Sequence, residues 1–403
     1  MPFMLNLRGK SFLVITLSDV YIVGAGETKF GELWDRSLRE LATEAGLKAI
    51  ESAGIYSKDI EVLYGSNTLG AAVSSQSDIG SLIADFAGIA HSNVPAVAIE
   101  ASTASGGAAV REAYLGIKSG EYSVAAVGGV EKLTDIYGSE ILDLTSTLLD
   151  SEWEGFFGAT PSAIAALVCN KYMRDFKVDK ESLAMMSVND HLNASKNPDA
   201  HYRNLLSLEA AMNSTLVSEP LNLMDCSPAS DGAAALVLAS SEYVKKNKLD
   251  GIKIAASSIS QDYLALHSRK SIYRFDSAVI AARKAFEKAS MKPSDVSFAE
   301  IHDSYSIYGL IELEDLGFAE KGKAKDLVYE DIKLNGSIPV NPSGGLKAKG
   351  NPFGATGIGQ FVEAFQQLKG KAKERQVKSA KNALLHSMSI SGSTSVVHIL
   401  GGD

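Results

Sequence analysis

A layered α/β fold built from two copies of one unit is predicted by three features of this sequence. Apolar runs of strand length alternate with amphipathic segments of helix length, the pattern of sheets packed against helices. Residues 45–60 (AGLKAIESAGIYSKDI) recur 236 positions later as 281–296 (AARKAFEKASMKPSDV), with Ala45/Ala281, Lys48/Lys284, Ala49/Ala285, Glu51/Glu287, Ala53/Ala289 and Asp59/Asp295 identical. A second echo follows in the same order: Ser105-Gly106, Glu112-Ala113-Tyr114 and Lys118 match Thr356-Gly357, Glu363-Ala364-Phe365 and Lys369. Matches at two places in one order mark an internal duplication.

At 403 residues the chain exceeds what a single hydrophobic core usually holds, in keeping with two halves and an insertion. Residues 1–18 show no strand pattern and read as an N-terminal arm. A first strand starts at Val20, and Gly24-Ala25-Gly26 reads as a structural turn, since Lys29 stands where a dinucleotide fingerprint needs its third glycine. Each copy of the repeated unit is an amphipathic helix, a turn and a buried strand, at 62–64 in the first and 296–301 in the second. Residues 94–100 predict a buried strand running into the small-residue helix start at 101–108. That turn puts Thr103 in an exposed place at a helix N-terminus, where unpaired N–H groups and the helix dipole stabilise an anion. The second half mirrors it with a glycine-rich approach, 349–357, to a helix over 360–368; its extra residues fall within 318–342.

Between the halves, residues 137–222 differ in texture. Helices are predicted over 161–174 and 180–195, followed by a turn-rich surface segment at 196–202, together a helical insertion lying over the site between the halves. The first half then comprises 19–136 and 223–262, and the second 263–403.

Composition narrows the function classes. Lysine and arginine number 39 against 48 acids, a formal charge of −9 with the basic residues scattered, which argues against a nucleic-acid or anionic-membrane surface. No apolar run approaches the ~20 residues of a membrane span. Two cysteines, Cys169 and Cys226, are too few for a disulfide framework or a cysteine-rich zinc site, so a reducing, cytoplasmic setting is expected and both read as buried filler. No His, Asp and Glu grouping has metal spacing, so no metal is expected. His398 reads as structural, His201 as a surface residue, and Asp225 and Asp231 as caps for backbone N–H groups beside a turn.

Eight stretches in order, VYIVGAGETKFGE, EASTASGGAAVREA, VGGVEKLT, KNPDAHYR, DCSPASDGAAALVL, AEIHDSYS, GNPFGATG and SVVHIL, resemble the thiolase family, specifically its sterol-carrier-protein-x and archaeal acetyl-CoA acetyltransferase branch. The resemblance runs from about Asp19 to the C-terminus. It implies a duplicated five-layer αβαβα thiolase fold with a helical loop-domain insertion, a homodimer or dimer of dimers, a coenzyme A thioester as substrate or ligand, and no covalently bound cofactor. It also exposes departures. The family's nucleophilic cysteine is Thr103 here, the cysteine of its HDCF motif is Ser304, and the base histidine of GHPxGATG is Asn351; only His302 matches. Ser389 and Ile390 replace a glycine pair before Gly392. By resemblance His386 lies near the same crevice, and Phe157, Gly158, Ser257, Ser258 and Gly392 line the coenzyme's route.

A thiol near pKa ~8.5 becomes a thiolate beside a helix N-terminus and a histidine, whereas an alcohol needs a strong adjacent base and a carboxamide is not one. Three readings follow. The first is an acyl-CoA-binding protein in which acyl transfer is lost or weak. The second is a cysteine-independent acyl-CoA aldolase working with a small zinc-ribbon/OB-fold partner, with Tyr305, Tyr308 or His302 as acid or base. The third is acyl transfer through Thr103, with His302 or His386 as base.

Overall fold

The computed structural model describes residues 18–136 and 138–401; the N-terminal arm expected over 1–18 lies, except for Ser18, outside the described residues. The first half contributes β1 (Val20–Glu27), α1 (Leu38–Ala53), β2 (Val62–Ser66), β3 (Ala96–Ile99), α2 (Ser105–Lys118) and β4 (Val124–Glu131). The segment expected as the insertion carries α3 (Pro161–Phe176) and α4 (Lys180–Ala194). Then come β5 (Gly232–Ser240), β6 (Ile252–Gln261), α5 (Asp276–Ala289), β7 (Phe298–Glu300), α6 (Ser306–Asp315), α7 (Phe353–Leu368), β8 (Asn382–Met388) and β9 (Thr394–Gly401).

The strands run in the order β3-β2-β4-β5-β1-β6-β9-β8-β7. The two half-sheets join only where β1 meets the start of β6, at Tyr21–Lys253 and Ile22–Ile252. Three apolar cores separate the layers. Leu41, Ala45 and Ala49 of α1 pack on Val23 and Val237. In the middle, Val110 and Ile117 of α2 and Ile358 and Phe361 of α7 are sandwiched between Val127 and Leu236 of the first half and Leu385 and Leu400 of the second. Ala278 and Ala281 of α5 and Ile311 of α6 close the far side against Leu384 and Val397. Helix, sheet, helix pair, sheet and helix are five layers.

The repeated unit keeps its local chemistry. After α1, the Tyr56 N–H donates to Asp59 Oδ2 at 3.0 Å; after α5, the Lys292 N–H donates to Asp295 Oδ2 at 2.8 Å. The identical aspartates therefore close identical turns before β2 and β7.

Three expectations change. Gly24 and Gly26 lie inside β1 and form no turn: a Cβ on Gly24 would stand 2.2 Å from the Ala49 carbonyl oxygen, so the missing side chains let α1 settle on the strand. β3, expected buried, is the sheet's edge strand, with Val97 47% exposed. α7 starts at Phe353, seven residues before the expected 360, because its glycines are contact surfaces: a Cβ on Gly357 would meet the Gly107 N–H at 2.7 Å where α2 crosses α7. β6 pairs along most of its length with β9 of the second half.

Among the described residues no helix is long and apolar enough to cross a membrane.

Candidate active site

Thr103 sits where β3 turns into α2. Ser102 adopts a left-handed conformation at φ 55°, and Ser105 ties the turn, its Oγ accepting from the Ala101 N–H at 2.8 Å. Such a conformation at a non-glycine residue stores strain that the surroundings must hold. Thr103 is not exposed as expected: it is fully buried, and its hydroxyl donates to the Met388 carbonyl oxygen on β8 at 2.7 Å. Two elements 285 residues apart in sequence thus close on it.

Asn351 stands just ahead of α7, in a cage of hydroxyls. Its Nδ2 donates to Ser227 Oγ (3.0 Å), its backbone N–H to Ser230 Oγ (3.1 Å), and its Oδ1 accepts from Thr356 Oγ1 (2.8 Å). The Ser227 N–H donates to the Ser304 carbonyl at 2.8 Å, so one strap, 225–231, links Asn351 to the Ser304 turn. Asp231 anchors the strap, accepting the N–H groups of Leu33, Leu133 and Thr134 and the ammonium of Lys132. Asp225 likewise caps the Asn222 N–H at 2.9 Å. His201 is half-buried rather than superficial: Nδ1 lies 3.0 Å from Ser230 Oγ and its ring stacks on Tyr202. The segment 196–202 is tied down at Asn197, whose Nδ2 donates to the Ser343 carbonyl (2.8 Å), and at His201, whose N–H donates to the Lys349 carbonyl (2.9 Å), while Pro198 and Tyr202 stay exposed.

His302, Ser304 and His386 complete the set. All three are buried, and both ring nitrogens of His302, the Ser304 hydroxyl and His386 Nε2 lack a hydrogen-bond partner within the protein. Burial holds each imidazole neutral, pushing its pKa down to about 3, with His386 itself adding to the effect at His302. His386 Nδ1 lies 3.0 Å from Glu312 Oε2, and the same oxygen accepts the His302 N–H at 2.8 Å. Burial pushes the Glu312 carboxyl well above the ordinary carboxylate range. Sequence reading passed over Glu312. Its signal is visible in hindsight: a helix whose every residue is buried carries three acids, Glu312, Glu314 and Asp315, and buried acids need a reason.

Behind this layer Lys347 is buried between Asp190 (2.7 Å) and Asp303, also both buried, and their charges hold its ammonium protonated. Breaking a buried ion pair strands the remaining charges, so Lys347→Met is expected to cost about 3–5 kcal/mol. Urea unfolding checks this; a loss under about 1 kcal/mol would show that the triad has no net role in stability. Glu131, also fully buried, fastens the loop after β2 to the start of α7, accepting the N–H groups of Thr68 (2.8 Å), Leu69 (3.0 Å) and Gly354 (3.0 Å).

Among the described residues no hydrogen bond joins the remaining expected ones to these. Phe157 is 73% exposed on a short turn of the insertion, which Gly158 ends at φ 80°. Ser257 and Ser258 lie buried in β6, where the Ser257 carbonyl accepts from Arg111 and Lys288, each at 2.9 Å. Gly392, at φ 79°, accepts the Ser277 hydroxyl through its carbonyl at 2.8 Å. His398 has its Nε2 3.1 Å from the Gly107 carbonyl and its ring against Phe361, a packing role. Cys169 is buried and Cys226 half-buried, and burial pushes both thiols upward, so neither supplies a thiolate at neutral pH. Among the described residues no group of three His, Cys, Asp or Glu side chains is arranged to hold a metal ion.

Two family models match: "Thiolase, N-terminal domain" over residues 20–242 and "Thiolase C-terminal domain-like" over 258–402. The chain belongs to the thiolase family. This thiolase-family chain is 42% identical to the acetyl-CoA acetyltransferase of Methanothermobacter thermautotrophicus over 385 residues, covering 95% of this chain and 99% of that one. It is 45% identical over 393 residues to the enzyme of the same name from Methanocaldococcus jannaschii, with the same coverage, and 31% identical to sterol carrier protein 2 of Gallus gallus, of which it spans 71%. Among solved structures, the Ltp2-ChsH2(DUF35) aldolase superposes with a TM-score of 0.82 at 25% identity, covering 96% of this chain and 98% of that one. The acetyl-CoA acetyltransferase of Syntrophomonas wolfei, at 17% identity, 96% and 100% coverage and a TM-score of 0.74, shows the shared fold.

Proposed function

We propose that this thiolase-family protein binds acyl-CoA thioesters in the crevice between the starts of α2 and α7 and does not carry the acyl group on a covalent enzyme intermediate. The observation behind this reading is the state of Thr103: its hydroxyl, at the position of the family's nucleophile, is buried and donated to the Met388 carbonyl rather than to a histidine. A hydroxyl so placed is unactivated. Relatives named for acetyl-CoA at 42% and 45% identity support the ligand class. Asn351 retains the second hydrogen of its Nδ2, and His302 a ring nitrogen, with which to meet a thioester or enolate oxygen. Phe157 and Gly158 at the surface, and Ser257, Ser258 and Gly392 behind, would flank the pantetheine.

Acyl-CoA is expected to bind with Kd between about 1 μM and 1 mM, or about −8 to −4 kcal/mol, read by calorimetry. Absence of heat at millimolar coenzyme A would leave a structural subunit in place of a thioester-binding one.

A second reading is carbon–carbon bond chemistry without a nucleophile, as a cysteine-independent acyl-CoA aldolase. What favours it is the near full-length match to a chain of the Ltp2-ChsH2(DUF35) aldolase, together with buried acid–base atoms that lack a protein partner. The partner would be small, of zinc-ribbon/OB-fold type. Retro-aldol cleavage of a 3-hydroxyacyl-CoA, assayed with and without such a partner, separates this reading from binding alone. Homodimerisation is part of the proposal, with the open edge of β3 as the seam, since an uncovered edge strand otherwise invites irregular pairing; sedimentation at a monomer mass would remove it.

A further inference from the structure

We propose that Glu312 and His386 act as one acid–base pair that removes the α-proton of a bound acyl-CoA, His386 Nε2 meeting the substrate carbon and Glu312 positioning the ring. This rests on the acyl-CoA reading above and assigns the proton acceptor which that reading leaves open.

The geometry is that of a base held by an orienting carboxyl. His386 precedes by two residues Met388, whose carbonyl holds Thr103, so the imidazole and Thr103 meet the same stretch of β8. Nδ1 faces Glu312 Oε2 at 3.0 Å, which leaves Nε2 as the working atom. Through the 2.8 Å bond from the His302 N–H, the same carboxyl fixes the segment that carries His302 and Ser304. His386 Nε2, Glu312 Oε1, both nitrogens of His302 and the Ser304 hydroxyl are all buried and without a protein partner. One unsatisfied buried polar atom is tolerable; five in linked residues are what a ligand or its water would satisfy.

The step balances within the pair. In the reactive form Glu312 is a carboxylate, Nδ1 carries the proton and Nε2 has a free lone pair. The α-C–H bond breaks and an Nε2–H bond forms, while the electron pair passes through the α-carbon to the thioester oxygen as an enolate. The Nδ1 proton moves to Glu312, so the buried imidazole ends neutral and the one negative charge has moved from carboxylate to enolate. Groups facing the pair are His302 and Asp303 from the segment after β7, Tyr308 and Asp315 from α6, and Lys347, which is paired with Asp190 of α4.

The test is deuterium uptake by acetyl-CoA in D2O, followed by mass spectrometry, with acetyl-CoA affinity measured alongside by calorimetry. The wild-type chain is expected to exchange the methyl protons above the solution rate, faster as pH rises and the pair loses its proton. Glu312→Gln keeps an acceptor for Nδ1–H but cannot take the proton. It is expected to cut exchange about 100-fold, flatten the pH profile and leave Kd within about 2-fold. His386→Asn is expected to match it, and adding Glu312→Gln to His386→Asn to do nothing more. A wild type that binds acetyl-CoA without exchanging it, or variants whose effects multiply independently, would overturn the pair while leaving the binding reading intact. No binding by wild type would remove that reading and this proposal with it.

Discussion

Incubated with acetoacetyl-CoA and free coenzyme A, the protein is expected to turn over about 10⁴-fold or more below a thiolase that carries the nucleophilic cysteine and the base histidine. An alcohol ionises far less readily than a thiol, Thr103 spends its proton on the Met388 carbonyl, and Asn351, caged by Ser227, Ser230 and Thr356, has no basic lone pair. Thr103→Ala is accordingly expected to leave the residual rate unchanged. Thr103→Cys alone supplies a thiol without a base. Combined with Asn351→His it is expected to gain about 100-fold over the single change, the usual worth of a positioned general base. A wild-type rate that disappears in Thr103→Ala would establish threonine-based transfer and overturn the reading.

Acid is expected to unfold the chain sharply. His302, His386 and His398 are buried, and burial holds each at about 3 against an ordinary 6.5. A depressed histidine pKa contributes stability that is present above pH 6.5 and is lost as pH falls toward 3. Glu131, pushed up to about 7, and Glu300, pushed up to about 8, act in the opposite sense: their contribution is full below pH 4.5 and is lost as pH rises through 7 and 8. Between pH 8 and 4.5 the carboxyls therefore offset the histidines. Below pH 4.5 the contribution of Glu131 and Glu300 is constant while three histidines each lose ~1.4 kcal/mol per pH unit, about 4 kcal/mol per unit in all. That loss ends near pH 3, about 1.5 units below that point, and amounts to about 6 kcal/mol, which exceeds the low end of a typical 5–15 kcal/mol, so unfolding is expected by about pH 3 with about three protons taken up. A circular-dichroism titration with potentiometry reads both. A broad transition with uptake of one proton or fewer would show that these imidazoles are already solvated in the folded state.

Much of the architecture was legible in one dimension. The echo of 45–60 in 281–296 carries the duplicated helix, turn and strand, down to Asp59 and Asp295 closing the same turn, because turn closure is a matter of residues three apart. Apolar periodicity likewise places α3 and α4 to within two residues at their ends. The family's eight matched stretches and the replacement of its cysteines and histidine are also properties of the sequence alone.

Glycines misled where their purpose was tertiary. Those in β1 read as a turn and those in α7 as a loose helix start, yet each marks where another backbone approaches closely, which no local pattern encodes. Thr103 read as exposed because the helix start is visible in sequence and the β8 carbonyl that covers it, 285 residues on, is not. Glu312 and His386 are 74 residues apart and belong to different layers; each alone is a buried polar residue without a motif, and only the stacking of α6 on β8 turns them into a pair. Local sequence determined the elements and which of the family's motif residues this chain replaces, because periodicity, turns and motifs act over a few residues. The packing of five layers decided which of the remaining polar groups meet, because contact and burial depend on chain segments that sequence spacing does not relate.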